Sequence, residues 1–111
     1  FDDALFTPIT TWHLANEIEW IMRSNISDIV HVAGGEPISK YDFGKKICKR
    51  LKLDTKLIRK ESIDNVKFNA KRSKDQTMDS SYYYSISNRS LPSTDETVNI
   101  IVEYFQESAY A

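Results

Sequence analysis

"DIVHVAGGEPISKYDFGKKICKRLKL", residues 28–53, changes its hydrophobic period partway along, and that change sets the fold class. The first part, "DIVHVAGG", is a short β-branched run ended by a glycine pair, which reads as a strand followed by a turn. From Ser39 onward the spacing becomes helical. Phe43, Ile47 and Leu51 recur every fourth residue, joined by Gly44 and Cys48, while Lys45, Lys46, Lys49 and Arg50 are expected to face water. Ser39 and Asp42 stand three apart, the arrangement in which two side chains satisfy the unpaired N–H groups of a helix start. A strand, a turn and a helix in immediate succession point to an α/β fold.

The flanks extend the same reading. "FTPITTWHLANEIEWIM", residues 6–22, opens as a short extended piece closed by Pro8, after which Thr10 or Thr11 can cap a helix. Leu14, Ala15, Ile18, Ile21 and Met22 follow the helical period, with Glu17 and Glu19 expected to turn away. At the far end Ser93 and Glu96 form a second capping box, and Val98, Ile101, Val102 and Phe105 make one face of a helix reaching about Gln106. Between these, "KLIRKES" (56–62) has room for a short strand. Residues 65–92 read as polar and irregular, with Tyr82, Tyr83 and Tyr84 as an anchor against the core. The expectation is one α/β segment over 1–111, with about three helices and a few short strands. Only one strand is firmly legible, and a lone strand needs pairing partners, which are expected outside the chain.

Composition bounds the possibilities. A hydrophobic share of 41% and a charged share of 28% are those of a soluble globular domain. The net charge of −1 gives no global attraction to nucleic acid or anionic lipid. Twelve of the fifteen cationic side chains nevertheless lie between Lys45 and Lys74, so the middle is basic and the ends are acidic. Such a run is most simply a solvated helix face, and its functional alternative is a small interaction module for nucleic acid or an acidic partner. Cys48 is alone, so neither a disulfide framework nor a zinc cluster can form, in keeping with a reducing, cytoplasmic location. No apolar run approaches membrane-spanning length, and no signal peptide is legible. The first residue is Phe1 rather than Met, which suggests a piece of a longer protein.

Candidate site residues are few. In "AKRSKDQTMDSS", residues 70–81, Arg72 and Asp75 form an R-x-x-D pair. Two readings stay open: an ordinary solvated loop, or an anion site in which a guanidinium fork grips two phosphate oxygens. His13 and His31 are too isolated for a metal pair, and His31 is expected to be a buried or half-buried hydrogen-bonding group within its strand. Trp12 and Trp20 are expected in the core. Gly34 and Gly35 are adjacent and followed by Glu36 and Pro37, so no dinucleotide fingerprint is present.

Three stretches, "FTPITTWHLANEI", "VHVAGGEPISKYDFGKKIC" and "AKRSKDQTMDSS", occur in an order and spacing that resemble the C-terminal part of dTDP-4-dehydrorhamnose reductases. These are sugar-nucleotide reductases of the extended short-chain dehydrogenase superfamily, and the likeness runs from about Phe6 to Phe105. The resemblance implies a substrate-binding segment that lacks the Rossmann domain. An N-terminal Rossmann domain of the same protein would bind NADPH or NADH and carry the catalytic residues. This segment would bind no cofactor and would close over a dTDP-linked 4-keto deoxysugar. It further implies that Arg72 and Asp75 hold the diphosphate and ribose, and that Thr7 lies near the sugar nucleotide, although a plain strand-to-helix turn also accounts for Thr7. Ser73 stands where the family usually has proline. Tyr41 and Lys45 have the family's catalytic Y-x-x-x-K spacing, but in a helix assigned to the substrate part, so neither is expected to be catalytic. Relatives of this fold also serve as regulatory subunits of methionine adenosyltransferase, and a homodimer is left open.

Overall fold

The structure is a computed structural model that describes residues 1–109, and short strands alternate in it with helices. Strand β1 (Leu5–Phe6) leads to helix α1 (Thr11–Arg23), and β2 (Ile38–Ser39) runs directly into α2 (Lys40–Arg50). Two 3-10 turns follow, at Thr55–Leu57 and Ile63–Asn65. Strand β3 (Asp75–Gln76) then precedes α3 (Ser81–Ser87) and α4 (Thr94–Ala109). Among the described residues this is a small mixed α/β domain with four helices and a three-stranded sheet.

Local chemistry starts each long helix at the expected place. Thr10 Oγ1 accepts from the His13 N–H at 3.2 Å and begins α1. Ser39 Oγ accepts from the Asp42 N–H at 3.0 Å and donates to the Asp42 carboxylate at 2.8 Å, beginning α2. At α4 the box is reciprocal: Ser93 N–H donates to Glu96 Oε2 at 2.7 Å, and Glu96 N–H to Ser93 Oγ at 3.2 Å. The last helix runs three residues past Gln106, to Ala109.

The sheet differs from expectation. Its centre is β1, antiparallel to β2 (Leu5 opposite Ser39) and parallel to β3 (Leu5 opposite Asp75), so the pairing partners lie within the chain. The run 28–35 is not a strand. Gly34 N–H reaches the Thr7 carbonyl at 3.3 Å and Gly35 N–H the Pro92 carbonyl at 2.9 Å. Pro8 and Pro92 on those neighbouring segments have no N–H to return, so no ladder can grow. His31 is correspondingly exposed rather than buried. The stretch 56–62 holds part of a 3-10 turn and no strand. Within the supposedly irregular 65–92 lies α3, seven residues rich in serine and tyrosine, whose weak intrinsic propensity is overridden by the complete burial of Tyr83. Asn88, in the left-handed region at φ 52°, ends it.

Acidic ends fold back on the basic middle. Asp3 accepts from Ser62 Oγ at 2.6 Å and from the Ile63 N–H at 2.8 Å, and it lies 3.2 Å from Lys74 Nζ. The Ser62 hydrogen bond, then the Ile63 one, hold its carboxyl far below the usual range. Lys74 also meets Asp64, Lys60 meets Asp2 at 3.2 Å, and Lys46 meets Asp95 at 2.8 Å where α2 packs on α4.

The core is thin. Ala4, Ala33, Ile63, Tyr83, Leu91, Val98 and Val102 form it, whereas Ile18, Met22 and Phe105, expected inside, are 47%, 80% and 56% exposed. Trp12 is also half exposed, stacked on Tyr104 with ring centroids 5.0 Å apart. The extents of 47 × 40 × 22 Å describe a slab. Its radius of gyration, 16.2 Å, exceeds the roughly 13 Å of a globular domain this long.

Candidate functional site

A cleft of about 290 Å³ opens where the end of β1, the Gly34–Gly35 crossing and the β3–α3 connection meet. Thr7 comes from the first, the glycines and Pro37 from the second, and Thr77 to Ser81 with Tyr84 from the third. Each part is fixed by local bonding. Thr7 Oγ1 accepts from the Met78 N–H at 3.2 Å, tying the β1 end to the β3 exit. Asp75 Oδ1 accepts from both the Thr77 N–H, at 3.0 Å, and the Thr77 hydroxyl, at 2.6 Å. That turn aims Thr77 at the cleft, and the hydroxyl bond chiefly lowers the Asp75 carboxyl. Asp79 Oδ1 accepts from the Ser81 N–H at 2.8 Å; this bond is the main cause of its lowered carboxyl, with a smaller contribution from His31. Ser80, 6% exposed, has a buried hydroxyl with no hydrogen-bond partner among the described residues.

Gly34 explains why this crossing needs glycine. A Cβ there would sit 2.0 Å from the Pro8 carbonyl oxygen, so the two backbones could not approach with any side chain between them. Both glycines keep negative φ. Only Gly34 is required by this close packing; a Cβ on Gly35 would make ordinary contacts, 3.4 Å from the Tyr84 hydroxyl.

The residues expected to bind substrate are divided. Thr7 lines the cleft, and Asp75 supports it from the adjoining turn. Arg72 lies on a separate opening of about 560 Å³ with Lys71 and Lys74, its guanidinium 5.5 Å from the Phe68 ring centroid. Among the described residues it makes no ion pair with Asp75. Tyr41 and Lys45 are outside the cleft; the ammonium lies over the phenol ring, 5.2 Å from its centroid.

A second polar cluster, outside the cleft lining, involves the residue expected to turn away from the core. Glu17 is 7% exposed and takes two bonds from Arg89, Nε at 2.6 Å and Nη2 at 2.9 Å, besides the Tyr83 hydroxyl. The Arg89 bonds dominate in lowering its carboxyl. Burial first, and Glu17 second, push the Tyr83 phenol up to about 12. Arg89 also lies over Trp20, 5.4 Å from the ring centroid. With its charge matched and both oxygens bonded, this cluster joins α1 to α3 and the segment after it.

No family model, curated protein or solved structure matches the chain. Sequence reasoning did not place Ser80 and Asp79 on the cleft, because that position depends on the turn into α3, although "DSS" after a polar run carries the Asx-turn signal for that turn.

Proposed function

We propose that this chain is the substrate-holding portion of an NAD(P)H-dependent reductase similar to the dTDP-4-dehydrorhamnose reductases, with no catalytic chemistry of its own. The observation that carries the reading is convergence: each of the three stretches bearing the resemblance contributes to one cleft, through Thr7, through Gly34 and Gly35, and through Thr77 to Ser81. In this reading the dTDP-linked 4-keto deoxysugar lies along β3. Arg72, beside Lys71 and Lys74, takes the diphosphate, and Asp75 keeps the turn that presents Thr77. The cofactor belongs to an N-terminal Rossmann domain of the parent, and no step is assigned to it on these residues. The slab shape and the exposed Ile18, Met22, Trp12 and Tyr104 support a covering domain, because a single-layer core leaves apolar surface that folding alone does not bury.

Calorimetric titration with dTDP tests the assignment. Arg72→Ala should weaken dTDP about ten- to a hundredfold, the range of a charge-assisted contact, and Arg72→Lys should restore only part because an ammonium has no fork. Unchanged affinity in Arg72→Ala would return this stretch to an ordinary solvated loop.

A further inference from the structure

Away from the cleft, Trp12 in the first turn of α1 meets Tyr104 of α4, with ring centroids 5.0 Å apart and planes 50° from parallel. Each is 50% exposed. With Ile100 they wall a shallow cavity of about 290 Å³, which Glu103 and Glu107 also line. Ile100, Glu103, Tyr104 and Glu107 follow the three- and four-residue spacing that puts side chains on one helix face. Val98 and Val102, on the other face of α4, are buried. Among the described residues neither glutamate forms an ion pair, and α4 itself has no lysine or arginine to supply one.

These groups make opposing demands. The two rings gain by being covered, but whatever covers them also draws Glu103 and Glu107 out of water, and a desolvated carboxylate without a partner is strongly destabilising. A cation meets both demands, because aromatic faces attract it as carboxylates do. Guanidinium suits the cavity better than ammonium: it is planar, stacks on rings, sheds water more readily and holds its donors in a fork. The chain already builds this combination once. Arg89 lies 5.4 Å from the Trp20 ring centroid while giving two hydrogen bonds to Glu17. The volume falls just under the roughly 300–1,000 Å³ of small-molecule sites, which suits one side chain entering from outside.

We infer that this cavity receives an arginine side chain of the polypeptide that covers Trp12 and Tyr104. The inference rests on the proposed covering domain for the source of the arginine, and not on the nucleotide-sugar assignment. A failure of dTDP binding and a failure here are therefore read separately.

Amide- and indole-resolved NMR titrations of the 111-residue chain test it, with N-acetyl-arginine amide, its lysine analogue and its uncharged citrulline analogue as probes. The arginine probe should shift the Trp12 indole N–H and the amides of Glu103, Tyr104 and Glu107 saturably, in the millimolar range. The Trp20 indole should stay in place, because Arg89 already occupies its face. Citrulline has nearly the same shape without the charge and should bind about tenfold more weakly or not at all; lysine should fall between. Glu103→Gln combined with Glu107→Gln should weaken the arginine probe about three- to tenfold, the worth of two exposed charge pairs. Both positions are exposed, so the thermal midpoint of this variant should not change. No shifts at Trp12 and Tyr104, equal binding of citrulline or lysine, or full arginine affinity in the double variant would each overturn the inference.

Discussion

Replacing Glu17 with alanine tests whether the buried cluster joins α1 to α3 and the segment after it. Three hydrogen bonds converge on its carboxylate, two of them from Arg89 and one from a tyrosine with no solvent exposure. Arg89 keeps 34% of its side chain in solvent, so water can replace its lost partner. Tyr83 has no such recourse, and its orphaned hydroxyl alone is expected to cost about 1–3 kcal/mol. Adding the lost packing of a buried side chain gives a loss of about 2–4 kcal/mol for Glu17→Ala. For a domain of this length that lowers Tm by roughly 8–16 °C. Tyr83→Phe leaves both Arg89 bonds intact and should cost only about 1 kcal/mol. The double variant has no orphaned hydroxyl and should be no less stable than Glu17→Ala, giving a coupling of at least about 1 kcal/mol. Urea denaturation followed by circular dichroism measures all four corners of the cycle. Additive losses, or a Glu17→Ala loss below about 1 kcal/mol, would refute the reasoning.

The pH dependence of the same cluster has a definite sign. The Glu17 carboxyl is lowered by folding, so its stabilisation is present above its unfolded pKa and disappears as pH falls through the folded value; a Tm series from pH 7 to 3 should show wild type falling more steeply than Glu17→Gln. Tyr83 is raised to about 12, so its contribution is present below pH 10 and disappears as pH climbs toward 12, and ultraviolet titration should lose its late-ionising phenol in Tyr83→Phe. Ser39→Ala removes the cap that joins β2 to α2 and should cost about 1 kcal/mol by chemical denaturation; an unchanged midpoint would show that the β2–β1 pairing fixes the helix start without it.

Helix starts were the most legible feature because their signal is local. Thr10, Ser39 and Ser93 each bond a backbone N–H three residues on, and that spacing can be read directly. Strands were less legible because each is only two residues long, too short for alternation to show, and the β-branched run 28–35 meets two prolines that cannot complete a ladder. Helical period alone placed Ile18 and Met22 inside and Glu17 outside. The opposite arrangement depends on Arg89, seventy-two residues away, which no periodicity reports. Thr7 was singled out through the resemblance alone, and it lines the cleft. The unpartnered, buried Ser80 hydroxyl could not be read in advance, since it is visible only once its surroundings are folded.

Calorimetric titration of the chain with dTDP-rhamnose, with NADPH and with arbitrary duplex DNA tests the central claim most directly. The account predicts saturable dTDP-rhamnose binding, tighter than dTDP alone and weakened by Arg72→Ala, with no heat from NADPH. Micromolar NADPH binding, or DNA binding that falls steeply with salt while dTDP-rhamnose gives no signal, would contradict it.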